Sequence, residues 1–298
     1  MDVTQAREIF GSVIPALVTP FTEQGIDEDA MAGLATHLVA KGCDGLLVSG
    51  TTGESPTTYS PEKVRLIEVV RDAVGPDVPI MAGAGSNDTA HACRMAEQAA
   101  AAGANSLLVV TPYYNKPSQA GIVAHIRAVG AAGGLPVMVY DIPGRCGVSV
   151  SAQAAQELAD DPHVVAYKDA TGDPIAGAAR AQATDTAVYS GDDGLNLAFL
   201  THGGAGVVSV VAHVAADRYR AMVDALNAGD LQTARQIHNE VLPLVDAIMG
   251  TGQGAVMAKT AMALQGIIPS ARLRLPLVAA SEEQIGRMRR EMEKLGYL

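Results

Sequence analysis

His163-Val-Val-Ala-Tyr-Lys-Asp-Ala-Thr-Gly172 carries four apolar or aromatic residues, Val164 to Tyr167, straight into a lysine, an aspartate and a Thr-Gly turn. A strand without polar alternation is buried on both faces, as the strands of a parallel sheet are. Lys168 then stands where the strand meets its loop, and two readings fit it. An amine held among apolar groups disfavours its charged form and, once neutral, attacks a ketone. Alternatively, the lysine stem snorkels past the strand end and its ammonium pairs with Asp169.

On both sides of this stretch, short β-rich runs alternate with longer, often Ala-rich helical ones. The pattern predicts strands over residues 13–21, 45–49, 79–83, 106–111, 136–140, 164–168, 187–190 and 205–211. Helices are expected over 27–40, 61–74, 89–102, 119–132, 151–160, 174–184, 195–201 and 216–227. Ser60 serves as N-cap of the second of these, with Pro61 at its first position. Eight strand-then-helix pairs are what a parallel (β/α)8 barrel requires, an α/β TIM-barrel fold. A doubly wound open sheet fits less well, because no Gly-x-Gly-x-x-Gly turn follows the first strand and eight pairs exceed its usual count. After Gly229 the β signal stops, and helices over 231–249, 254–265 and 281–295 are expected to cover the barrel's outer wall. The division is a leader over 1–10, a catalytic barrel over 11–229 and a C-terminal helical extension over 230–298.

The chain has 298 residues, 48% of them apolar, and a net charge of -11. That charge argues against nucleic acid and anionic membrane as partners. No apolar run approaches a membrane span, and the N-terminus lacks the basic start and apolar stretch of a signal peptide. Cys43, Cys93 and Cys146 lie far apart without paired or metal-like spacing, so a reducing, cytoplasmic location is expected. His91, His125, His202, His213 and His238 show no metal-ligand spacing either, and read as structural or surface residues.

In a barrel of this kind, the loops after the strands build the active site. After the second strand comes Ser49-Gly-Thr-Thr-Gly-Glu-Ser55, where two glycines bracket two hydroxyls that could hold a carboxylate; an ordinary turn capped by Glu54 also fits. After the fourth comes Thr111-Pro-Tyr-Tyr-Asn-Lys-Pro-Ser118, a rigid turn presenting two rings to a pocket or to a subunit interface. After the fifth comes Tyr140-Asp-Ile-Pro-Gly-Arg-Cys-Gly147, in which Arg145 suits a bidentate hold on a carboxylate or is simply solvated. After the seventh, Ser190-Gly-Asp-Asp193 puts a glycine where backbone must come close, and its aspartates could cap the next helix.

With these residues on the page, the sequence resembles the dihydrodipicolinate synthase / N-acetylneuraminate lyase family of Schiff-base aldolases, over nearly its whole length. The motifs carrying the likeness are Gly50-Thr-Thr-Gly-Glu54, Tyr113-Tyr114, Tyr140-Asp-Ile-Pro-Gly-Arg145, Lys168-Asp-Ala-Thr-Gly172 and Gly191-Asp-Asp193. The resemblance implies that Lys168 forms an imine with pyruvate, and that Tyr140, Thr51 and Tyr114 relay protons. Thr51 and Thr52 would hold the pyruvate carboxylate, helped by backbone around Gly191 and Val208. No metal or organic cofactor is then expected beyond the covalent imine. Arg145 points to the synthase branch, in actinobacterial-like form, with aspartate semialdehyde as second substrate in diaminopimelate and lysine biosynthesis. By the same likeness, Tyr114 enters the neighbouring subunit's site within a homotetramer built as a dimer of dimers. Another pyruvate aldolase of the family, acting on a sugar acid or hydroxy-oxo acid, is the nearest rival, and a non-catalytic ligand-binding paralogue a further one. Feedback-sensitive members keep two histidines and a glutamate around an allosteric lysine; the matching Ser60, Lys63 and His91 here predict weak or no inhibition by lysine.

Overall fold

The computed structural model describes residues 1–298. Eight parallel strands form one sheet in the order β1-β8-β7-β6-β5-β4-β3-β2. These are β1 (Val13–Pro15), β2 (Leu46–Val48), β3 (Ile80–Gly83), β4 (Ser106–Val110), β5 (Val137–Asp141), β6 (Val164–Asp169), β7 (Ala187–Ser190) and β8 (Gly206–Ser209). The ends of the sheet meet where Ala16 bridges Leu47, so the sheet curls into a nearly closed barrel. At this seam the first predicted strand is cut short. Its ladder stops at Pro15, because the next amides go to different neighbours: Ala16 to Ser209 on β8 and Leu17 to Leu47 on β2. Val18 donates to His213 Nε2.

The crossover helices fall close to their predicted places: α2 (Glu28–Ala40), α3 (Ser60–Val74), α4 (Thr89–Ala101) and α5 (Gln119–Gly133). A short turn α6 (Pro143–Cys146) precedes α7 (Ala152–Ala159), then come α8 (Pro174–Thr184), α9 (Asn196–Thr201) and α10 (Ala212–Asn227). The cap of α3 lies one residue earlier than expected, at Tyr59, whose amide is satisfied by Glu62.

Alternation along the strands sorts the core. Met138 and Tyr140, Ala166 and Lys168, and Ala187 and Tyr189 face the barrel interior, where apolar side chains pack with Ile14, Leu47, Leu108 and Val208. Residues 1–10, read as a leader, hold a helix of their own, α1 (Val3–Phe10), started by a reciprocal Asp2–Gln5 capping box. Phe10 meets Tyr189 edge-on at 5.9 Å between ring centroids, and the Tyr189 hydroxyl donates to the Gly11 carbonyl. The helix therefore plugs the end of the barrel opposite the β-to-α loops.

The extension comprises α11 (Leu231–Val245), α12 (Gly254–Leu264) and α13 (Glu282–Leu295). It covers one sector rather than the whole wall: α11 packs on α9 and α10, α12 on α10, and α13 on both. No single helix is long and apolar enough to cross a membrane.

Candidate active site

β5 and β6 set the centre of the site. Tyr140 and Lys168 are register partners on these neighbouring strands, both pointing inward. Lys168 Nζ lies 4.2 Å from the centroid of the Tyr140 ring, and the side chain is only 5% exposed. Burial lowers its pKa to about 8; Asp193 opposes the shift and Arg145 adds to it. The pairing with Asp169 considered above does not form. One residue on, the strand turns its side chain to the other face, and Asp169 pairs there with Arg180.

Above this pair lies a cavity of about 590 Å³ lined by Thr51, Tyr140, Arg145, Tyr113, Ser49 and Ile142 among others. Lys168 stands behind the Tyr140 ring rather than on the cavity wall. Burial pushes the Tyr140 phenol up to about 12, with Arg145 pulling it down, so the hydroxyl keeps its proton at neutral pH. Arg145 is exposed on α6 and has no acidic partner, leaving a guanidinium open to a bound anion.

The loop after β2 supplies Thr51 and the buried Thr52. It is a tight turn in which the Gly53 amide bonds the Gly50 carbonyl and the Glu54 amide the Thr51 carbonyl. Ser49 and Glu54, one at each end, hold left-handed backbone, with φ of 58° and 56°. Such angles are costly for residues with a Cβ and persist only where the surroundings enforce them. At Glu54 the enforcement is visible: one carboxylate oxygen takes Lys259 of α12, and the other takes the Arg274 amide at 3.0 Å. Gly191 acts through its missing side chain. A Cβ there would stand 3.0 Å from Lys168 Cγ, and its N–H already serves the Asp169 carbonyl at 2.7 Å. Val208 is buried on β8 within the same interior cluster as Tyr140.

Residues 9–295 match the dihydrodipicolinate synthetase family. The chain belongs to that family. A 4-hydroxy-tetrahydrodipicolinate synthase from Kineococcus radiotolerans is 50% identical over 288 residues, 96% of this chain and 94% of its own. The solved dihydrodipicolinate synthase of Cyanidioschyzon merolae, with lysine bound, aligns with a TM-score of 0.94 at 39% identity, over 98% of this chain and 100% of that one. The chloride-inhibited enzyme of Acinetobacter baumannii, complexed with pyruvate, aligns with a TM-score of 0.92 at 33% identity, over 96% and 99% of the two chains.

Of the family's motif residues, Thr51, Tyr140 and Arg145 share the cavity, with Lys168 beneath. Tyr114 does not join them. It is 89% exposed, on left-handed backbone with φ of 73°, while its neighbour Tyr113 lines the cavity. Ser60, Lys63 and His91 line another part of the same cavity, where Lys63 Nζ donates to the Ser55 carbonyl, Ser55 Oγ and Thr58 Oγ1. Sequence reading missed Lys259 and Arg180, and it gave Tyr113 no role apart from its pair with Tyr114. For Lys259 a signal existed: a lone lysine in the Ala/Met-rich run Gly254–Leu264 must find a partner if that helix is buried.

Proposed function

We propose that the site runs the 4-hydroxy-tetrahydrodipicolinate synthase reaction, a lyase chemistry, through an imine on Lys168. The observation that carries this is the buried amine, without a carboxylate partner, packed under Tyr140. A neutral Lys168 adds to the C2 carbonyl of pyruvate and water leaves, giving a protonated imine. The cationic nitrogen acidifies the C3 methyl group, and loss of a C3 proton gives an enamine. The enamine carbon attacks the aldehyde carbon of aspartate semialdehyde, whose oxygen takes a proton. The substrate's own amino group then displaces Lys168 from C2, closing the ring and freeing the enzyme. Tyr140, protonated and with its ring packed against the amine, would hand these protons on, with Thr51 and a partner's Tyr114 extending the relay. The Gly50–Gly53 turn, with Thr51 and Thr52, suits the pyruvate carboxylate, and the uncompensated Arg145 suits that of the semialdehyde. Tyr114 would be supplied by a neighbouring copy within a homotetramer, in the cytoplasm.

Borohydride reduction in the presence of pyruvate, followed by peptide mapping, tests the reading. The adduct should sit on Lys168 and vanish in Lys168→Ala, whereas Arg145→Ala should still trap pyruvate on Lys168 but use the semialdehyde poorly. An adduct on any other residue would defeat the mechanism.

Regulation follows from Lys63. A second cation beside Ser60 and His91, with no carboxylate facing the cavity there, disfavours the ammonium groups of free lysine. Millimolar lysine should leave the rate nearly unchanged; strong inhibition in a titration would contradict this.

A further inference from the structure

Each member of the Tyr140–Lys168 pair is followed at once by a buried aspartate. Alternation that sends Tyr140 and Lys168 inward sends Asp141 and Asp169, which are themselves register partners, out through the barrel wall. Two carboxylates side by side in a dry wall repel each other, and one guanidinium answers both. Arg180 of α8 donates from Nη2 to Asp141 Oδ2 at 2.8 Å and from Nη1 to Asp169 Oδ2 at 3.3 Å. Its guanidinium carbon lies 4.8 Å from the Tyr167 ring centroid, on the strand that carries Lys168.

The carboxylates then spread this anchor to the neighbouring loops. Asp141 accepts the Val150 amide, and Asp169 accepts both the amide and the hydroxyl of Thr171, at 3.0 and 2.7 Å. Their backbones join in: the Asp141 carbonyl takes the Ala170 amide and the Asp169 carbonyl the Gly191 amide. One side chain thus ties β5 to β6 at the level of the reacting pair, and the Asp169 backbone carries the link on to the residue after β7. Buried ion pairs add little net stability, so the position of this one is its informative feature.

We infer that Arg180 is a positioning residue which, by bridging Asp141 and Asp169 from behind, fixes Lys168 against Tyr140 and keeps the strand ends closed to water. This rests on Lys168 being the imine-forming amine. Without Arg180, the paired carboxylates either separate the strands or bind a proton, and both outcomes disturb the residues one step back along each strand.

The test uses the full-length enzyme, with time-resolved borohydride quenching of pyruvate imine formation at a temperature where circular dichroism shows each variant folded. Arg180→Gln should form the imine about 10- to 100-fold more slowly, as expected for a misplaced nucleophile. Its pH midpoint should rise, because Lys168, facing Tyr140, Asp193 and Arg145, regains water. Arg180→Lys, which keeps the charge but not the fork, should recover part of the rate. Should Arg180→Gln fail to fold, Asp169→Asn gives the same readout with a smaller loss. A folded variant with wild-type imine rate and pH profile, changed only in melting temperature, would overturn the inference. A wild-type adduct away from Lys168 would sink it together with the proposed mechanism, whereas an adduct on Lys168 alongside unaffected variants sinks the clamp alone.

Discussion

An amine attacks a ketone only with its lone pair free, so in the proposed mechanism the protonation of Lys168 sets the pH range of the first step. Burial brings that amine down to about 8, with Asp193 opposing and Arg145 assisting. Below that pH the ammonium form dominates, and imine formation should fall about tenfold per pH unit; above it the rate should level off. Arg145→Ala, by removing the assisting cation, should move the midpoint upward. Trapping rates measured across the range check both, and a rate still climbing steeply to the unperturbed lysine range would contradict the assignment. The residue itself was legible because an unbroken apolar run ending in lysine leaves few ways to bury the charge. What the stretch alone could not decide was the choice between its two explanations, which the barrel position and the family resemblance tipped toward the reactive amine. The choice depended on Asp169, which is adjacent in sequence but faces the opposite side of the strand and is held there by Arg180, eleven residues on. Sequence proximity suggested the pair; strand alternation forbids it.

At the scale of elements, the extension does more than cover helices. Lys259 of α12 is fully buried, bonds Glu54 and the Arg272 carbonyl, and lies 4.3 Å from the Phe21 ring centroid. It thereby anchors the turn that presents Thr51 and Thr52. Lys259→Met strands the Glu54 carboxylate in the interior, and the loss should be about 3–5 kcal/mol, as for one partner of a buried pair. Pairing it with Glu54→Gln should restore part of that, because no charge is then left uncompensated. Urea unfolding of the two variants, with the pyruvate KM of each, measures the effect; a loss below about 1 kcal/mol in Lys259→Met would show that the pair is dispensable. Helical periodicity located α12 almost to the residue, yet it carries no information about a partner 205 positions away. The same limit explains the short β1, whose apolar run continues past Pro15 while its hydrogen bonds divide between two neighbours at the seam.

For the whole molecule, the eightfold alternation of strand and helix pointed to the barrel, since eight pairs exceed the usual count of a doubly wound sheet and no Gly-x-Gly-x-x-Gly turn follows the first strand. The plug formed by α1 escaped notice because an eight-residue helix is too short for its periodicity to stand out. The proposed role of Tyr114 concerns a still larger scale. Its ring is 89% exposed, on left-handed backbone beside a cavity-lining tyrosine. If it completes a neighbour's site, two defective chains should repair each other. Lys168→Ala retains a good Tyr114 and Tyr114→Phe a good Lys168, so a mixed pair holds one intact site. Co-refolded in equal amounts with random pairing, they should recover about a quarter of wild-type activity per chain, against little for either alone, because half the pairs are mixed and each has one working site of two. Steady-state assays on the co-refolded and separately refolded proteins read this directly. Activity no higher than the average of the two parents would place Tyr114 in its own chain's site or outside catalysis altogether.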